Sequence, residues 1–155
     1  MTNRDFGKYL LTFVLAAQAV MGFALDWSAN HLLNPGWSPH ARFHGALLLF
    51  LLAGVSGTGL WLLWRKSKEP EVGVKAAALI SLSFWTPFLY IGAIVPGASP
   101  WAGIANTVPH IAGYTFYPNI AVAVLFQILT LAAWRRATRS LSDLPDSSES
   151  GTRRS

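Results

Sequence analysis

ARFHGALLLFLLAGVSGTGLWLLW, residues 41–64, decides the fold class. No charged side chain lies between Arg42 and Arg65. A helix rises about 1.5 Å per residue, so about 20 apolar residues cross the hydrocarbon core of a bilayer. This stretch is long enough to do so. Upstream, Tyr9–Leu25 (YLLTFVLAAQAVMGFAL) has Gln18 as its only strongly polar side chain. Downstream, residues 74–95 contain KAAALISLSFWTPFLYIGAIV, and residues 119–134 read NIAVAVLFQILTLAAW. The last span is expected to begin near Val108 and to kink at Pro118. The fold class read from these runs is an all-α membrane protein with four transmembrane helices and both termini cytoplasmic. Residues 1–136 form the four-helix domain, with spans at about 9–25, 41–64, 74–95 and 108–134. Residues 137–155, rich in Ser, Asp and Arg, read as a disordered cytoplasmic tail.

Composition agrees with that class. Of 155 residues, 52% are hydrophobic and 12% charged, against about 25% charged in soluble domains. Nine Lys and Arg flank one side: Arg4, Lys8, Arg65, Lys66, Lys68, Lys75, Arg135, Arg136 and Arg139. Only Arg42 flanks the other. By the positive-inside rule the loops at 26–40 and 96–118 face outward, in the cell (plasma or inner) membrane. Trp61, Trp64 and Trp134 fit an inner aromatic belt, and Trp27, Trp37, Trp101, Tyr114 and Tyr117 an outer one. The net charge of +5 flanks apolar segments, which points to lipid headgroups as the partner and not to nucleic acid. The absence of cysteine excludes disulfides, iron–sulfur clusters and thiol catalysis. An alternative reading takes the first span as a signal peptide cleaved at Ala17-Gln18-Ala19; the apolar run continues to Leu25, which favours a retained helix.

All four histidines map to the outward half: His31, His40, His44 and His110. Three of them fall in HLLNPGWSPHARFH, residues 31–44. Ser38-Pro39 reads as an N-cap followed by a first-turn proline. His40 and His44, four residues apart, then share one helix face. Asn106…Pro109-His110 is expected to open the fourth helix alike and to bring His110 to the depth of His40. The candidate catalytic set is therefore His40, His44 and His110. Asp26, His31, His40 and His44 form a candidate ligand set for a transition metal such as zinc, iron or copper. Asn34, Trp37, Arg42 and Trp85 are candidate ligand contacts. Set against this, the histidines can simply brace an outer loop, Asn34-Pro35-Gly36 can be a turn, and Arg42 can snorkel to headgroup phosphates.

Inside the bundle, the small residues of AGVSGTG, residues 53–59, predict close helix packing. Pro87 is expected to kink the third span and, with Trp85 beside it, to open a cavity below the outer loops. Gln18 and Gln127 can hydrogen-bond across helices. No Asp, Glu, Lys or Arg lies deep in a span, so a proton relay or ion channel has no support.

Asp26-Trp27…His31…Asn34-Pro35-Gly36-Trp37-Ser38-Pro39-His40-Ala41-Arg42-Phe43-His44 resembles a pattern of small four-span proteins from bacteria and fungi. Their N-P-x-W-x-P-H-A-x-F-H stretch follows the first span. Pro87-Phe88…Pro96-Gly97 is similar to the end of their third span, and the likeness covers about residues 7–135. Ser38 takes a place where a further proline is expected. This family is a domain of unknown function, so the resemblance implies the layout and no mechanism. A fainter similarity is to four-span sterol isomerase-type proteins, which rely on membrane-embedded acidic residues that these spans lack. Two function classes stand. One is a membrane-embedded enzyme acting on a lipophilic small molecule through the histidines. The other is a non-catalytic lipid-binding or accessory subunit, with a homo-oligomer among the possible assemblies.

Overall fold

The computed structural model describes residues 3–101 and 108–142. It is mostly helical, with four helices long and apolar enough to cross a membrane, at Arg4–Asp26, Pro39–Trp64, Pro70–Leu89 and Pro118–Arg139. The first is helix α1, Asn3–Met21, which runs on into a π-helical turn, Gly22–Asp26. The second is α2, Pro39–Trp64. The third is α3, Pro70–Trp85, continued by a 3₁₀ turn over Thr86–Leu89 and a short α4, Ile91–Ile94. The fourth is α5, Pro118–Ser142.

The local chemistry explains the boundaries. Ser38 Oγ accepts from the Ala41 amide at 3.2 Å and Pro39 follows at the first helical position, as the sequence predicts. Pro70 likewise starts α3, before the expected Val74. At Pro87 the α-helix tightens to 3₁₀ geometry, because proline brings no N–H to an i−4 carbonyl.

Two expectations are corrected. The fourth helix starts at Pro118 and has no arm reaching back to Val108. In place of that arm, β1 (His110–Ile111) pairs antiparallel with β2 (Tyr114–Thr115), His110 opposite Thr115. Ala112 and Gly113 both take positive φ in the turn, a conformation that suits a tight hairpin. Pro118 then sits at a helix start, where its missing N–H costs nothing. At the other end, α5 continues past Ala137, which is fully buried, so the tail does not begin there. Residues beyond 142 lie outside the described residues, as do 102–107 with Asn106.

The helices form an up-and-down ring in the order α1, α2, α3, α5, each packed on its neighbours, with α1 also touching α3. The start of α1 and the ends of α2 and α5 share one end of the bundle. There the Lys8 ammonium stands 4.2 Å over the Trp64 ring, Trp64 Nε1 donates to Thr12 Oγ1 at 2.8 Å, and Arg136 stands 4.9 Å over Phe6. The core of this half is Leu11, Leu15, Leu63, Val74, Ala77, Ala78, Ala133 and Ala137. Its helices approach so closely that a Cβ on Gly7 would stand 2.7 Å from the Ala133 carbonyl oxygen. One on Gly73 would collide with the Leu62 carbonyl. The small residues of α2 split: Ser56 and Gly59 are buried, whereas Gly54 and Gly57 face away from the bundle. Close packing therefore uses only part of that run. The opposite half has a smaller core, Val14, Trp85, Ala123 and Phe126.

A candidate ligand cavity at the loop end

Below the loops the packing of α1, α3 and α5 loosens into a cavity of about 620 Å³. That size falls within the range of about 300–1,000 Å³ usual for small-molecule sites. Gln18, Met21, Gly22, Leu25 and Asp26 form the α1 wall; Phe84, Trp85 and Phe88 form the α3 wall. Pro118, Asn119 and Val122 come from the start of α5. Ser28, Asn30 and His31 of the first loop and Pro100 and Trp101 of the second close the end. Asn119 Nδ2 donates to the Pro100 carbonyl and so ties the second loop to α5. A cavity is thus present below the loops beside the Pro87 break, as expected, and its third wall is the first helix.

Two local irregularities make the space. The 3₁₀ turn at Thr86–Leu89 swings Phe88 beside Trp85, with ring centroids 5.5 Å apart. The π turn widens the end of α1 and rotates its last residues, which places Asp26 on the cavity side. Gly22 lies close against α2 there, where a Cβ would stand 2.9 Å from Leu52 Cδ2 and that leucine would have to shift.

The polar groups are few and incompletely paired. Gln18 is 0% exposed; its Nε2 donates to Ser56 Oγ at 2.9 Å, and its Oε1 has no partner. Trp85 is 4% exposed and its Nε1 has no acceptor. His31 Nε2 lies 3.7 Å from Asp26 Oδ1, and the buried Nδ1 of His31 is unpartnered. These are the three buried side-chain atoms without a hydrogen-bond partner among the described residues, and all belong to residues lining this cavity. An unmade hydrogen bond at a buried group costs about 1–3 kcal/mol. Three such groups fall on residues of this one cavity.

The sequence-nominated residues divide. Asp26 and His31 line the cavity, and Trp85 forms its wall. His40 and His44 do not; they lie on an exposed face at the start of α2. Their Nε2 atoms are 3.1 Å apart, one ring donating to the other, with centroids at 4.4 Å. His110 is on a strand and exposed, not in a helical first turn beside His40. Among the described residues no three His, Asp or Glu side chains gather to hold a metal. The four-residue set Asp26, His31, His40 and His44 is therefore two pairs, Asp26 with His31 on the cavity wall and His40 with His44 on the exposed start of α2. Asn34, Trp37 and Arg42 brace that loop. Asn34 Oδ1 accepts from Gly36 N at 2.8 Å, and Arg42 donates to the Asn34 carbonyl at 2.9 Å. A Cβ on Gly45 would stand 3.2 Å from the Trp37 ring.

Gln18 is the interhelical hydrogen-bonder that the sequence predicts and also a cavity residue, and Trp101, expected in the aromatic belt, lines the cavity. Asn119 was not nominated. The available signal was Gln18 itself, a lone amide two turns before Asp26 in an otherwise apolar span.

Residues 11–141 match a family described as "Family of unknown function (DUF6640)", and the chain belongs to that family. No curated protein and no solved structure matches it.

Proposed function

We propose that this member of the DUF6640 family is an integral membrane protein that holds a lipophilic small molecule in the loop-end cavity. One observation carries the reading: every unpartnered buried side-chain atom of the described residues belongs to a residue lining a single aromatic-walled space of about 620 Å³. Apolar walls with a few convergent polar groups are the usual make-up of a small-molecule site. We place both termini in the cytoplasm of a cell membrane and the cavity toward the outer face, from the positive-inside asymmetry. The 31–44 motif, which we read as the family's mark across bacteria and fungi, builds the adjoining loop.

The test is extraction. Protein purified in polymer nanodiscs, without detergent, is extracted and its lipophiles are compared by mass spectrometry with those of the surrounding membrane. The expected result is one enriched class, lost in Val122→Phe, which fills the cavity. Extracts that mirror the bulk membrane in both proteins would overturn the reading.

A second reading, that of an enzyme, is favoured by the Asp26–His31 pair. A carboxylate beside one imidazole nitrogen, with the other nitrogen unpartnered, is the arrangement of a general base. It moves the candidate chemistry from His40, His44 and His110 to His31. Under this reading His31→Gln still carries a bound lipophile, but a different one from wild type, since the unconverted molecule accumulates. The same molecule in both proteins would leave a binding or accessory role.

A further inference from the structure

The ionisable groups and the neutral polar atoms of the cavity stand at different depths. Asp26 and His31 are half-exposed at the loop end, with side-chain exposures of 48% and 39%. Gln18 precedes Asp26 by eight residues on the same helix, roughly 12 Å deeper at 1.5 Å per residue. It is sealed from solvent, as is Trp85. Ala17 and Met21, on either side of Gln18, pack against the group that contains Trp85. The residues of the deep end therefore hold one buried unpartnered acceptor, Gln18 Oε1, and one buried unpartnered donor, Trp85 Nε1, and no ionised group.

Resting on the reading of this cavity as a lipophile site, we infer that its ligand is an uncharged lipophile bearing a hydroxyl, held with that hydroxyl inward between Gln18 and Trp85. A hydroxyl is both donor and acceptor. It donates to Gln18 Oε1 and accepts from Trp85 Nε1–H, so one small group meets both needs. A hydrocarbon leaves both atoms unpaired. A carboxylate or ammonium brings a charge to a depth with no counter-charge, which is far costlier than burying a hydroxyl. The apolar body lies along Met21, Phe88 and Val122 toward the loops.

Three probes of equal chain length, dodecanol, dodecane and dodecanoate, separate these cases. Each is titrated at matched mole fraction into phosphatidylcholine nanodiscs holding the full chain, and binding is read from tryptophan fluorescence, with Val122→Phe as the blank. Dodecanol is expected to bind about tenfold more tightly than dodecane or dodecanoate, the worth of one to two neutral hydrogen bonds. Gln18→Leu and Trp85→Phe bring alcohol and alkane level. Ser56→Ala, which removes the interhelical partner of Gln18 but keeps its amide oxygen, retains the preference and controls for a folding defect. Dodecanol and dodecane binding equally to wild type would overturn the hydroxyl assignment while leaving the cavity as a lipophile site. Preference for dodecanoate would overturn it in favour of an acidic ligand. No probe distinguishing wild type from Val122→Phe would overturn both.

Discussion

At Gln18 a single amide serves the fold through Nε2, while its Oε1 is buried without a partner. Ser81 and Thr130 form the other buried interhelical polar contact, 2.8 Å between hydroxyls, and Thr130 also donates to the Phe126 carbonyl. Ser81→Ala leaves Thr130 with that carbonyl, so we expect a loss of about 0.6 kcal/mol, the average for such bonds in membrane helices, seen as a small drop in thermal midpoint. The exposed His40–His44 pair is the residue-scale counterpart outside the bundle. Two imidazoles supply half of a tetrahedral zinc shell, and water or buffer completes it. We predict weak zinc binding, reversed by chelator, that raises the thermal midpoint with rising zinc concentration. His40→Ala/His44→Ala removes the response. Zinc retained through chelation would contradict a two-ligand site.

The elements differ in how their glycines work. Gly73 lets α3 rest on the Leu62 carbonyl of α2, whereas Gly54 and Gly57 have open space before them. Gly73→Ala is expected to destabilise the bundle by about 1–3 kcal/mol through forced backbone separation. Gly54→Ala and Gly57→Ala are expected to be neutral or to stabilise by up to about 1 kcal/mol, since alanine is the better helix former. Thermal unfolding in nanodiscs ranks the three; a Gly54→Ala loss matching that of Gly73→Ala would place a partner helix on the outer face of α2. The helix starts at Ser38-Pro39 and the break at Pro87 were legible, because caps and prolines act through their own few atoms. The start of α5 was not. Residues 108–117 are rich in aromatic and β-branched side chains, and an apolar run fits a short hairpin as readily as a helix arm.

For the whole molecule, the cation–aromatic contacts of Lys8, Arg65 and Arg136 gather at the end where the chain's Lys and Arg concentrate. Tryptophans and basic residues together suit a membrane–water boundary. The absence of cysteine makes orientation directly testable. We predict that Ala29→Cys in the first loop reacts with a membrane-impermeant maleimide on intact cells, and that Ser67→Cys between α2 and α3 reacts only after permeabilisation. The reverse pattern would turn the cavity to the cytoplasm.

The sequence by itself determined the number of long helices, their rough limits and the uneven placement of charge. Each of these follows from chain-local quantities: hydropathy summed over about 20 residues, a cap, a proline, a flanking lysine. The tertiary structure decided which polar residues share a space. It joined Gln18, Asp26 and His31 to Trp85 and Trp101, and left His40, His44 and His110 outside. The reason is that α2 is apolar all round, so no periodicity in its sequence reports which face turns inward. Helix rotation was set by where backbones approach at Gly7 and Gly73, and by the π turn that re-aims Asp26, all of them relations between segments distant in the chain or departures from regular geometry.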